Sequence, residues 1–187
     1  MSSTATETAG LATATGTWVI DPAHTNLGFT ARHAMVAKVR GTFGEFDGSF
    51  TITEDLAQSS ASLTIQSASI DTKNSDRDAH LTSPDFLDVA NFPTVTFTST
   101  SVAVNGSQIV LTGDLTIHGV TKSVDVTYEL VGISQDPWGN TKIGFEGSTK
   151  ISRKDFGLVW NVALETGGVL VGDDIKLTLD VEATKQA

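Results

Sequence analysis

The chain contains no cysteine. That excludes disulfides, iron–sulfur clusters and thiol catalysis, and it removes the compartment clue that cysteines carry. Charge is sparse at 18% of residues, and positive charge is sparser: Lys and Arg number 12 against 22 Asp and Glu, for a net charge of −10. A protein whose main partner is nucleic-acid phosphate needs a basic surplus, so that class of partner is excluded. No apolar run approaches the ~18 residues of a membrane-crossing helix. What remains is 187 residues, 39% of them hydrophobic, with 17 glycines. One domain with a real core fits that length.

Residues 1–16 are dominated by Thr, Ala and Ser and hold no Lys or Arg. They lack both the basic start and the apolar stretch of a secretory signal. The expectation is a disordered leader at 1–16, a folded domain at 17–184, and a cytoplasmic location by default.

From Trp18 onward the hydrophobic period is two. Leu27, Phe29, Ala31 and His33 alternate with Gly28, Thr30 and Arg32. The same alternation runs through Phe46–Ile52, Ile109–Ile117, Val124–Leu130, Ile143–Ile151 and Ile175–Val181. Each run predicts a strand with one buried face. Turn residues separate them: Asn105-Gly106, His118-Gly119, the Asp136–Asn140 segment and Gly172-Asp173-Asp174. Long crossover helices are missing, so the pattern predicts an all-β antiparallel meander and not a doubly wound parallel sheet. Residues 72–93 break the alternation. Ser75 with Asp78 resembles a capping box and Ser83-Pro84 a helix start, so one or two short helical turns are expected there, closed by Pro93.

About eight strands suffice to close a barrel. Three inward positions are glycine: Gly48, Gly113 and Gly147. They leave either room for a guest or the curvature of bulges and corners. The rest of the predicted lining is Leu, Ile, Val and Phe, so a guest would be apolar.

Several segments together carry a family resemblance. They are Trp18-Val19-Ile20-Asp21-Pro22-Ala23-His24-Thr25, Gly41-Thr42-Phe43-Gly44-Glu45-Phe46-Asp47-Gly48, Arg77-Asp78-Ala79-His80-Leu81, Phe92-Pro93-Thr94-Val95-Thr96-Phe97, Gly113-Asp114-Leu115-Thr116-Ile117-His118-Gly119 and Arg153-Lys154-Asp155-Phe156-Gly157-Leu158. In order and spacing the chain resembles the YceI-like family of polyisoprenoid-binding proteins from about Trp18 to Glu182. The resemblance implies a lipocalin-like antiparallel barrel with an elongated apolar cavity. It implies binding of isoprenoid lipids such as quinone tails or polyprenyl phosphates and does not imply a catalysed reaction; family members are often exported, and no cofactor is expected. Burying one isoprene unit of about five carbons would gain ~3–4 kcal/mol before ordering costs.

The candidate ligand-binding residues are Phe29, His33, Arg77, His80, Phe86, Phe97, Gly113, Arg153 and Trp160. His33 shares the inward parity of Phe29 and would meet a polar head. Arg77 and His80 concentrate polarity in the one non-strand segment, where a guanidinium fork suits a phosphate. The plainer reading has Asp78 capping a helix and Arg77 holding the loop. Arg153-Lys154 is the densest positive pair, either attracting an anionic head or forming a solvated strand end. Phe86, Phe97, Phe156 and Trp160 would touch a prenyl chain or simply pack the core. His24, His33, His80 and His118 show no HxH or HExxH spacing, so a metal is not expected and local hydrogen bonding is the favoured role. The leading function is an isoprenoid carrier, storage or sequestering protein. The alternatives are a small-molecule enzyme using Arg77 and His80, or a filled barrel acting as an interaction module. Open strand edges would also let two copies pair as a homodimer.

Overall fold

The structure, a computed structural model, describes residues 10–187. Its strands are β1 (Gly16–Ile20), β2 (Asn26–His33), β3 (Ala37–Phe43), β4 (Phe46–Ile52), β5 (Ser60–Gln66), β6 (Ile70–Asp71), β7 (Thr94–Asn105), β8 (Gln108–Ile117), β9 (Val120–Gln135), β10 (Thr141–Ser152) and β11 (Val171–Lys185). One helix, α1 (Ser75–Thr82), interrupts them. The pairing order β1-β4-β5-β7-β8-β9-β10-β11 returns from β11 to β1, closing an antiparallel barrel of eight strands. The long strand β11 is shared. Ala183–Lys185 bond β1, while Ile175–Asp180 bond β2, which carries β3 and β6 alongside.

Turn chemistry sets these connections. His118 and Gly119 take φ values of 53° and 73°, the double left-handed geometry that matches the twist of a two-residue hairpin. Gly106 has φ 66° at the β7–β8 turn. Between β9 and β10, the Asp136 carboxylate accepts from the Trp138 and Asn140 backbone N–H groups and from the Asn140 side chain. Register shifts interrupt β7–β8, β9–β10 and β11–β2, yet Leu111, Leu115, Val124, Val126, Phe29 and Leu177 still face in as expected.

The helix begins one residue earlier than the sequence suggests. Asn74 is its N-cap, accepting from the Arg77 N–H at 2.9 Å. Asp78 turns back instead, accepting from the Thr72 N–H and hydroxyl. Ser83 caps the helix C-terminus, and no second helix follows it.

The core is split in two. At one end Trp18, Ile143 and Ala183 are almost fully buried with Ile52, Leu11 and Ala14. At the other, Phe156 gathers Ile70, Leu87, Val95, Leu115 and Ile117. The expected leader needs correction here. Residues 10–13 form a helical turn, Leu11 and Ala14 are buried, and the Trp18 indole N–H donates to the Ala14 carbonyl at 3.0 Å. A buried indole N–H needs an acceptor and a hollow barrel end needs a plug; this segment supplies both. The remainder of the expected leader, 1–9, lies outside the described residues.

Candidate functional site: an apolar cavity inside the barrel

Between the two clusters lies a cavity of about 330 Å³, within the range of small-molecule pockets. Leu11 bounds it at one end and Phe86, Arg153 and Phe156 at the other. The wall between is made by the inward rows of the strands: Leu27, Phe29 and Ala31 of β2, Ile109, Leu111 and Leu115 of β8, Ile175 to Val181 of β11. It is almost wholly hydrocarbon, as the period-two reading predicts.

The inward glycines do not open this space. The ring of Phe97 lies over Gly113, where an added Cβ would also stand 2.6 Å from the Thr98 carbonyl oxygen. Tyr128 lies over Gly147 in the same way, and Phe29 over Gly41. At Gly48 the Ile20 side chain would be 2.8 Å away. Glycine here lets a neighbouring side chain lie flat against the sheet, and that side chain becomes the cavity wall.

Of the nine candidate residues, Phe29, Phe86, Phe97 and Arg153 line the cavity. Gly113 sits beneath Phe97. His33 is exposed: β2 runs past the barrel rim before its last residue, so inward parity there points at solvent. Arg77 donates to the Thr72 hydroxyl at 2.8 Å and to the Thr72 carbonyl at 2.9 Å, the loop-holding role. His80 bonds the Asp85 carboxylate at 2.9 Å and packs edge-on against Phe86 and Trp160, at 5.0 and 4.6 Å between ring centres. Of these three rings only Phe86 lines the cavity; His80 and Trp160 pack against it, with Trp160 and Phe86 5.3 Å apart between ring centres.

Arg153 corrects both of its expected roles. It is 3% exposed and its guanidinium is taken up by the protein itself. Nε donates to the Gly172 carbonyl at 2.9 Å. One terminal nitrogen reaches the Leu158 and Trp160 carbonyls at 2.6 and 2.9 Å, and the other reaches the Val171 carbonyl and Asp173. It ties both ends of the 157–171 loop to the barrel rim. Burial holds its pKa below the usual guanidinium value, and the Asp173 carboxylate opposes that shift. Lys154 beside it is exposed and pairs with Asp173 at 3.2 Å.

Tyr128 is a residue that the candidate list omits. It is the only tyrosine, sits in the inward row of β9 and lines the cavity. Burial pushes its hydroxyl pKa up to about 12. No described group hydrogen-bonds that hydroxyl, and the residue forms part of the cavity wall. The signal was present in the sequence: a phenol at inward parity in an otherwise hydrocarbon row.

Outside the barrel, Asp21, His24 and Glu182 bring three potential metal ligands together. The Lys142 ammonium already stands 3.4 Å from Asp21 and 3.6 Å from Glu182. With His24 bonded to Asp21 at 2.8 Å, the cluster is an ion-pair knot that ties the residues after β1 to β10 and β11. His118 packs against Phe92 at 4.7 Å.

A closed antiparallel barrel around a hydrocarbon-lined cavity defines the class: an all-β barrel built to enclose an apolar guest. The chain belongs to the YceI-like family, whose domain model matches residues 18–183. It is 40% identical over 164 residues to Protein YceI of Escherichia coli O157:H7, covering 87% of this chain and 83% of that protein. Among solved structures, it superposes on Burkholderia cenocepacia BcnA with a TM-score of 0.74 at 25% identity, covering 88% of this chain and 99% of the other. The YCEI protein of Campylobacter jejuni gives 0.72 at 31% identity, covering 83% and 90%. A polyisoprenoid binding domain from Saccharophagus degradans gives 0.69 at 15% identity, covering 90% and 98%, and so shares the fold.

Proposed function

We propose that this protein binds an isoprenoid lipid with a neutral head, of the prenyl-quinone type, and carries, stores or sequesters it. The observation that carries this reading is a hydrocarbon-walled cavity with the Tyr128 phenol in its wall, whose hydroxyl has no hydrogen-bond partner among the described residues. A prenyl chain asks only for shape and apolar surface. A quinone carbonyl asks for a donor, and a phenol that stays protonated far above neutral pH supplies one. A phosphate asks for more. Taking an unpaired anion into hydrocarbon is very costly, and Arg153, the cation at the wall, already spends its donors on carbonyls and Asp173. Arg77 likewise serves Thr72. The Saccharophagus domain, described as polyisoprenoid-binding, shares this fold and supports the chain chemistry, not the head group.

Native mass spectrometry of gently purified protein tests the reading directly, since a lipid carrier retains a lipid. Competition between a prenyl quinone and a polyprenyl phosphate of equal length then tests the head. The quinone should bind more tightly. Tyr128→Phe should weaken the quinone by about two- to tenfold, the worth of one hydrogen bond at ~0.5–1.5 kcal/mol, and leave the phosphate unchanged. Tighter phosphate binding overturns the head assignment. A protein that takes up neither lipid is a barrel serving some other purpose, such as protein interaction.

A further inference from the structure

The barrel end that carries the 157–171 loop has an apolar tip with cations behind it. The β2–β3 connection turns at Ala34 and Met35, whose φ values are 49° and 65°. That left-handed pair normally goes to Asn-Gly, because a Cβ is strained there. Strain kept by a non-glycine residue points to a function for the side chain. Here the turn presents Met35 at 57% and Val36 at 81% exposure. The 162–170 hairpin lies against this tip. Ala34 donates to the Leu170 carbonyl at 2.7 Å, Leu170 donates to Val162 at 2.9 Å, and Met35 packs over Gly168. Val162 and Val159 on this segment are exposed as well.

The charge around the tip runs against the rest of the molecule. Phe29 and Ala31 face the cavity, so Thr30 and Arg32 face outward. Arg32 stands opposite Lys38 in the last strand pair but one before the turn, and Thr30 is flanked by Arg40 on β3 and Lys176 on β11. These four cations are exposed, and among the described residues none is in an ion pair. Nearby carboxylates are already engaged, Asp173 by Arg153 and Lys154 and Asp174 by Lys150. Glu165 adds one negative charge to the hairpin. So a third of the 12 basic residues sit unpaired on three adjacent strands of a chain with net charge −10.

We propose that this end of the barrel docks on an anionic lipid bilayer. Met35 and Val36 enter the boundary between headgroups and acyl chains, and the four cations meet the lipid phosphates. The spacing fits. Arg32 and Lys38 lie directly behind the tip, and Arg40 and Lys176 two residues further along, about 7 Å at strand rise. That matches the ~5–10 Å depth to which an interfacial apolar face sinks. The proposal stands apart from the cavity reading: it concerns the outside of the barrel and requires no bound guest.

Vesicle flotation tests it, using the full chain and vesicles free of prenyl lipid. Equal parts phosphatidylglycerol and phosphatidylcholine should bind the protein and phosphatidylcholine alone should not. Binding should weaken with salt. Replacing Arg32, Lys38 and Arg40 together by Gln should weaken it by roughly a hundredfold, at about fivefold per cation near an anionic surface. The telling variant is Ala34→Asn with Met35→Gly. It relaxes the turn, so the protein should melt no lower than its parent, yet vesicle binding should fall. A merely structural tip would not separate those two readouts. Failure of the parent to float with anionic vesicles, or undiminished binding by the relaxed-turn variant, overturns the proposal. So does full displacement by soluble glycerophosphate, which would mark a small-anion site. Retention of a cavity lipid, read separately by native mass spectrometry, should be the same in every variant, so failure of docking and failure of the cavity reading remain distinguishable.

Discussion

Replacing Arg153 by Met removes the charge while nearly conserving length and apolar volume. The guanidinium serves four backbone carbonyls, of Leu158, Trp160, Val171 and Gly172, at 2.6 to 3.3 Å, with Asp173 at 3.4 Å. These carbonyls lie at the two ends of the 157–171 loop, so losing the fork unties both. Breaking a buried charged group from its partners costs about 3–5 kcal/mol. Part of that is offset because methionine carries no desolvation penalty, leaving roughly 3 kcal/mol. At about 2–4 °C per kcal/mol for a chain of this size, the melting temperature should fall by about 6–12 °C. Asn161 makes a second tie, donating to the Val171 carbonyl at 2.8 Å and accepting from the Val171 N–H at 3.0 Å. The loop should therefore loosen without detaching, and limited proteolysis should cut the variant within 157–171 before the barrel. Arg153→Lys, a point charge without the fork, should fall between parent and Met. A methionine variant that melts within about 2 °C of the parent and resists protease equally would refute the stapling role and the magnitude worked from it.

Three further outcomes follow from the packing and the charges. Truncation through Gly16 removes Leu11, Ala14 and the acceptor of the Trp18 indole; thermal melts should show a loss of several kcal/mol, about 2–5 for burying a leucine-sized side chain no longer. Gly113→Ala should destabilise by ~1–3 kcal/mol by overpacking, because its new methyl meets the Phe97 ring and the Thr98 carbonyl; a neutral urea midpoint would show that Phe97 swings aside freely. The Asp21 carboxylate, with Glu182, holds the His24 imidazole pKa above its usual value of about 6.5. A raised folded value means that the histidine's contribution is complete below the unfolded pKa and is lost as pH rises through the folded one. Proton NMR should place the His24 midpoint above that of a free imidazole, and Asp21→Asn should bring it down.

Much of this protein is local, and local physics can be read along a chain. Side chains alternate across a strand whatever surrounds it, so Phe29, Leu111, Val126 and Leu177 could be assigned to the inside from parity alone. Turns depend on the few residues that tolerate left-handed φ, so His118-Gly119 and the Asp136–Asn140 loop were legible. The non-strand stretch with a short helix was legible as well, to within one residue at its cap. The sequence order of motifs then carried the family and, with it, the apolar cavity.

Closure decided the rest, because it brings together residues that no spacing relates. In the sequence the inward glycines stand equally for open space or for curvature; in the barrel Phe97 and Tyr128 lie on two of them. Arg153 read as a solvated strand end or an anion site until the 157–171 loop folded back to surround it with carbonyls. His33 kept its parity but lost its meaning once β2 overran the rim. Leu11, alone among small polar residues, read as leader until the barrel end it plugs existed. Alternation along the chain states which way a side chain points. Only the closed sheet states what stands opposite, and in a barrel that is what separates packed wall from free volume.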